Sequence, residues 1–200
     1  ITFPIDERRK TGLLFPTIST SDSGGVDLTQ PIYINIHPQM DATIAPRHID
    51  GRGSGVEGEF RYLTRSSEGQ FGAAYLDDSN DDRELQSEYE DQRWMYSWQN
   101  RTGLDSRWLA EVDYTDLSDP YYFQDLNTAL DARSDTYVNQ RAGLTYRGDG
   151  WRFRAGVHAY ELATITSLTP YERLPQLRLD GAHWLGDTGL RFGYDLEYAF

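Results

Sequence analysis

Leu190-Arg191-Phe192-Gly193-Tyr194-Asp195-Leu196-Glu197-Tyr198-Ala199-Phe200 puts every large apolar side chain on an even position. The odd positions carry Arg191, Gly193, Asp195, Glu197 and Ala199. Side chains leave a strand on alternate faces, so this stretch reads as a strand with one greasy and one polar face. The same beat runs through the chain. Val26, Leu28, Ile32, Ile34 and Ile36 oppose Asp27, Thr29, Pro31, Tyr33 and Asn35. Trp94, Tyr96 and Trp98 oppose Arg93, Met95 and Ser97. Trp108, Ala110, Val112 and Tyr114 oppose Arg107, Leu109, Glu111 and Asp113, and Trp151, Phe153, Ala155 and Val157 oppose Arg152, Arg154 and His158. No comparable stretch keeps a helical period. The chain is all-β.

About eleven strands follow from that alternation, near 11–20, 26–36, 39–48, 55–65, 69–76, 92–99, 106–116, 134–147, 150–162, 173–185 and 189–200. Most reach the roughly 9–11 residues that cross a bilayer at a tilt, beyond the five or six usual in soluble sheets. Short turns fall at His37-Pro38, Ser66-Ser67-Glu68, Gly148-Asp149 and Gly186-Asp187-Thr188. Longer connections fall at 77–91 (rich in Asp and Glu), 117–133 and 163–172. In the latter half every second connection is long, which is how outer-membrane barrels divide periplasmic turns from outer loops. A soluble β-sandwich predicts shorter strands and no such parity.

The composition suits a barrel with a wet interior. The net charge is −13, and 19 Lys plus Arg against 32 Asp plus Glu give little to grip nucleic-acid phosphates. Mean hydropathy is −0.68, and no apolar run is long enough for a membrane helix. Yet 14% of the residues are aromatic, the type that collects at lipid interfaces. With no cysteine, thiol catalysis, thiolate zinc and internal disulfides are excluded. The first residues lack the basic start and apolar core of a signal peptide, so the chain is expected to be mature or excised from something longer. An odd strand count cannot close a bacterial barrel, because an open edge leaves backbone groups unpaired in lipid. Either one strand is miscounted or the sheet continues elsewhere. A terminal phenylalanine favours the first, and the strings below favour the second.

Five strings occur in order. They are Lys10-Thr11-Gly12-Leu13-Leu14-Phe15-Pro16-Thr17, Pro31-Ile32-Tyr33-Ile34-Asn35-Ile36-His37-Pro38-Gln39-Met40-Asp41-Ala42-Thr43-Ile44-Ala45-Pro46-Arg47, Gly58-Glu59-Phe60-Arg61-Tyr62-Leu63, the Asp113-Tyr114 to Asp125 stretch with Leu117-Ser118-Asp119-Pro120-Tyr121-Tyr122, and Tyr171-Glu172-Arg173-Leu174-Pro175-Gln176-Leu177. Together they resemble the barrel opening of the LptD (organic solvent tolerance) family. The resemblance implies a non-enzymatic translocon that delivers lipopolysaccharide to the outer leaflet through a seam between its first and last strands. It implies an inserted lipoprotein plug (LptE-like), periplasmic lipopolysaccharide-bridge proteins and outer-membrane lipids as partners, in the cell outer membrane of a Gram-negative bacterium. The jellyroll domain, later strands and cysteines of that family are outside this chain. Residues 1–200 are thus expected to be one partial barrel domain, with 1–10 leading in from a periplasmic domain.

Pro16 and Pro31 interrupt the first two strand patterns. Proline cannot donate to a ladder and belongs on edges or bulges, so neighbouring prolines imply a weakly paired edge. Prolines at the matching places loosen the family's seam, which assigns Pro16 and Pro31 to a lateral gate; the alternative is that they only shape the rim. Pro38 reads as a turn residue and Pro46 as a strand end. Asp27, Tyr33, Asn35, Asp41, Arg47, Glu57, Glu59 and Arg61 are expected to line a hydrated lumen.

Chemistry-like motifs are few. Gly53-x-Gly55-x-x-Gly58 fits a dinucleotide pattern only if a helix follows, and the alternation after it predicts a hairpin. Glu57 and Glu59 share a face as an acid–base pair would, but Arg61 shares it too, which makes a charge lattice. His37, His48, His158 and His183 lack metal-ligand spacing. The 77–91 stretch lacks the regular ligands and glycine of a calcium loop. No catalytic residue, metal or cofactor is expected. The rival to the translocon is a small complete outer-membrane barrel serving as a passive pore or an outer-membrane enzyme.

Overall fold

A computed structural model describes residues 9–20, 25–79, 91–126, 130, 137–164 and 172–200. It is a single antiparallel sheet whose order runs from β1 to β13. The strands are β1 (Gly12–Leu13), β2 (Thr17–Thr20), β3 (Val26–Thr29), β4 (Ile32–His37), β5 (Met40–Ile49), β6 (Gly53–Leu63), β7 (Ser67–Asp78), β8 (Gln92–Thr102), β9 (Trp108–Leu117), β10 (Tyr137–Arg147), β11 (Trp151–Leu162), β12 (Arg173–Trp184) and β13 (Arg191–Ala199). One helical turn, α1 (Tyr122–Asp125), follows β9. The sheet is a partial barrel, open between its first and last strands.

Thirteen segments agree with about eleven expected rows, because the first two rows are each broken in the middle. β1 pairs β4 while β2 pairs β3, and both β3 and β4 pair β5. The breaks fall at 14–16 and 30–31, where the prolines stand. The continuous strands expected over 11–20 and 26–36 are therefore corrected to two half-strands each. A second correction concerns Pro46. It lies inside β5 opposite Val56 rather than ending a strand.

The connections divide by end. Those at 38–39, 64–66, 103–107, 148–150 and 185–190 are short, and those at 79–91, 118–136 and 163–172 share the other end of the sheet with 21–25 and 50–52. Gly103 shows why a short turn selects its residues. Its φ is +94°, and an added Cβ would lie 1.8 Å from the Trp108 carbonyl oxygen, so only glycine closes that turn. No helix follows Gly58; the glycine motif lies within β6.

Burial is inverted relative to a soluble sheet. Ile44, Val56, Phe71, Trp98, Leu144, Val157 and Leu196 are exposed on one face, whereas Asp41, Arg52, Glu57, Asp78, Arg93 and Asp119 are buried against the other. Water would penalise both choices, and a lipid exterior around a polar interior reverses the penalty. Aromatic rings gather at both ends of the apolar face. At the long-connection end Trp94 stacks on Tyr96 at 5.5 Å, and Tyr96 on Tyr114 at 5.9 Å. At the short-turn end Tyr146 lies 4.7 Å from Trp108 and 5.1 Å from Trp151. Two girdles on one face mark the two interfaces of a membrane.

Candidate functional site

The eight polar residues singled out above all project from the buried polar face, in two groups along β3–β6. Toward the long-connection end, Arg47 forks onto Asp27, with Nε donating to Oδ1 at 2.9 Å and Nη2 to Oδ2 at 2.6 Å. Its Nη1 donates to Glu57 Oε1 at 3.3 Å. The register explains the meeting, since Arg47 faces Thr29 on β3 and Gly55 on β6, each two residues from its partner. Toward the short-turn end, Asp41 accepts Arg61 Nε at 2.8 Å and Nη2 at 3.1 Å, and the Tyr33 hydroxyl at 3.2 Å. Glu59 sits 3.2 Å from the Arg61 Nε and accepts Gln70 Nε2. Asn35 faces Asp41 in register and donates from Nδ2 to the Arg9 carbonyl. Glu57 and Glu59 each touch an arginine, so a charge lattice and not an acid–base pair occupies this face.

The prolines fall on one line across three rows. The Leu14 amide donates to the Pro31 carbonyl at 2.9 Å, and the Gln30 amide to the Pro46 carbonyl at 3.0 Å. In an antiparallel ladder a residue's N–H and C=O point to the same neighbour. The Pro46 nitrogen therefore faces Gln30 with nothing to donate. Gln30 compensates in part through its side chain, whose Nε2 donates to the Leu14 and Pro31 carbonyls at 2.9 and 3.1 Å. Backbone pairing is thinnest here, at one height across the first three rows.

A third group escaped the sequence reading. After β9, Ser118-Asp119-Pro120-Tyr121 turns the chain inward, with Asp119 Oδ1 accepting the Tyr121 amide and Oδ2 the Ser118 hydroxyl. Arg93 receives this segment. Its Nε and Nη2 fork onto Asp119 at 3.0 and 2.8 Å, and Nη1 donates to Asp125 Oδ2 at 2.9 Å. Arg52 pairs with Asp78 and donates to the Asp125 carbonyl at 3.1 Å. The Tyr122 ring lies 5.6 Å under the Arg93 guanidinium. Burial pushes the Tyr122 phenol well above its ordinary value, with the charge of Glu57 adding to the push. Tyr122, Leu126 and Leu130 join Ile49, Leu76 and Met95 in an apolar cluster. A Cβ on Gly72 would meet Leu130 at 3.2 Å. Residues 118–126 and Leu130 thus fold back over the polar face instead of standing out from it.

Polar lattice, apolar girdles and a proline-weakened edge make one coherent wall, and comparison with known proteins bears on what wall it is. Residues 91–199 match the family model described as LPS transport system D. The chain belongs to the LptD family. It is 60% identical over 198 residues to the LPS-assembly protein LptD of Ectopseudomonas mendocina, covering 99% of this chain and 21% of that protein. The namesakes from Pseudomonas putida and Pseudomonas aeruginosa are each 54% identical, over 100% and 99% of this chain and again 21% of theirs. The chain therefore spans about a fifth of the length of the curated relatives it matches. LptD membership is membership of a transport and assembly family, and it places the sheet in the outer membrane of a Gram-negative bacterium.

The four histidines stay apart on the described residues. His48 meets Ser54, His158 meets Asn139, and His183 meets Tyr194, while the His37 Nδ1 accepts the Gln39 amide. Of the acidic 77–91 stretch, residues 80–90 lie outside the described residues, as do 1–8 of the expected lead-in and most of 127–136.

Proposed function

We propose that this chain forms the first part of the barrel wall of an outer-membrane translocon that delivers lipopolysaccharide and inserts it into the outer leaflet. The lattice of Asp27, Tyr33, Asn35, Asp41, Arg47, Glu57, Glu59 and Arg61 lines the hydrated lumen past which sugars and phosphates move. Acyl chains leave through a lateral gate at Pro16 and Pro31. The observation that carries this reading is the proline line: backbone pairing is sacrificed at one height in three successive rows, on the edge where the sheet is open. In hydrocarbon every missing ladder bond costs more than in water, so such a line in a membrane wall suits an edge that has to part. The driving energy is supplied by partners. Those partners are periplasmic lipopolysaccharide-bridge proteins, with a lipoprotein plug (LptE-like) inside the closed barrel and outer-membrane lipids around it.

The small self-closed pore or outer-membrane enzyme is not favoured, since the relatives carry this stretch as 21% of a longer protein. Locking the edge tests the proposal. Leu28 and His48 are register partners on β3 and β5. With both replaced by cysteine in the full-length protein, oxidation is expected to stop newly made lipopolysaccharide from reaching the cell surface, and reduction to restore it. Unchanged surface delivery by the oxidised pair would remove the gate from the proposal.

A further inference from the structure

The outer half of the first hairpin, β2–β3, is built differently from the rest of the sheet. Its backbone is broken from β1 and β4 at 14–16 and 30–31, and among the described residues it pairs with the sheet through Asp27↔Ile49, Leu28↔His48 and Thr29↔Arg47, with the Asp50 amide donating to the Val26 carbonyl and the Val26 amide to Asp50 Oδ2 at its outer end. The far edge of β2 pairs with no other described strand. Apolar packing does not hold it either. Ile18, Val26 and Leu28 are exposed on the outward face, and no residue of β2 or β3 is fully buried. Behind it lies a cavity of about 450 Å³ whose lining includes Thr17, Ser19 and Asp27 from the hairpin and Arg47, Glu57 and Leu130 from the wall.

Among the described residues, a charged side-chain contact crosses that cavity's rim. Arg47, Asp27 and Glu57 keep only 11%, 14% and 10% of their side-chain surface exposed. The planar fork of Arg47 fits the Asp27 carboxylate with two parallel bonds, a geometry lysine cannot copy. Glu57 holds the remaining nitrogen from β6, a strand fully paired on both sides.

We infer that Arg47 is the positioning residue that fastens the β2–β3 half-hairpin to the wall, with Asp27 as its partner on the hairpin and Glu57 as its support behind. The inference rests on reading the proline line as a gate, and it gives that gate a latch. With the fork closed, the hairpin shields the cavity. With the fork broken, it swings on the two proline hinges while β1–β4 keeps its place.

Hydrogen–deuterium exchange on the full-length protein in lipid tests this without requiring transport. Asp27→Asn keeps the shape of the side chain and removes its charge, and Arg47→Lys keeps the charge and removes the fork. Each is expected to speed exchange in 17–20 and 26–29 by about tenfold or more, as loss of a buried charged partner does. Exchange in 32–37 and in β6–β8 is expected to stay as in the parent. Parent-like exchange in 17–20 and 26–29 for both variants would overturn the latch. A rise spread evenly over the whole sheet would overturn it as well, by making Arg47 a general structural residue. Local loosening combined with normal delivery by the Leu28–His48 disulfide would keep the latch and reject the gate, so the two failures are distinguishable.

Discussion

Replacing Arg93 by methionine is expected to free the 118–126 segment from the polar face while the sheet stays folded. Arg93 is fully buried and holds Asp119 and Asp125 at once, with Asp78 at 3.6 Å. Removing one partner of a buried ion pair costs about 3–5 kcal/mol, because the other charge stays buried without compensation. Asp78 keeps Arg52, so the charge that loses its fork is Asp119 of the inward-folded segment. The sheet cannot move away from it, but the segment can carry it to water. Against release stand the buried side chains of Tyr122, Leu126 and Leu130, each worth about 1.5–3 kcal/mol when fully covered. The apolar side is the larger, so an equilibrium far on the inward side moves outward without inverting. Protease cleavage within 118–126 in the full-length protein is expected to accelerate by about 100-fold, the equivalent of about 3 kcal/mol. The urea midpoint of the sheet should change little by comparison. Arg93→Lys should fall between, since it keeps a charge and loses the fork onto Asp119. Parent-like cleavage of the methionine variant would mean that apolar packing alone holds the segment.

The physical origin of that anchor explains what could and could not be read from residues. Alternation is a property of a single strand, so it placed Arg93 and Asp195 on the polar face and Trp94 and Leu196 on the apolar one before any pairing was known. It also yielded the row count and the division of connections by length. Pairing is a property of two strands. The halving of the first two rows shows only when β2–β3 and β1–β4 are seen to slip apart at Pro16 and Pro31. Pro46 looked like a strand end because its cost depends on which neighbour its nitrogen faces, and the answer is Gln30, at the break between β3 and β4. Arg93 and Asp119 are 26 positions apart, and Arg93 and Asp125 are 32 apart. No local pattern marks such partners. Ser118-Asp119-Pro120-Tyr121 carried a turn signal, but turn chemistry does not say whether a connection points away from the lumen or back into it.

Arginine at Val157 is expected to destabilise the sheet by about 2–4 kcal/mol, the cost of a cation facing lipid near the bilayer midplane of a barrel. Val157 stands midway along β11, opposite Ala142, and is exposed on the apolar face. From the middle of a strand an arginine has the longest path to either interface, so snorkelling relieves the least of the cost. Its control is Gly143→Arg on β10. Gly143 faces Gly156 on one side and Glu111 on the other, and a Cβ there meets nothing closer than the Ala155 carbonyl oxygen at 3.8 Å. An arginine at that position enters the polar lattice beside a carboxylate and should cost little. The two sites lie on adjacent strands at nearly one height, so bilayer depth is matched and the face differs. Urea unfolding of the full-length protein in lipid bilayers reads the difference directly. A large loss for Val157→Arg with a small one for Gly143→Arg places lipid on the face where Trp98, Leu144 and Leu196 are exposed. Equal losses, or the reverse order, would mean that the polar lattice faces the membrane, and the lumen built from Asp41, Arg47 and Glu57 would have to be abandoned.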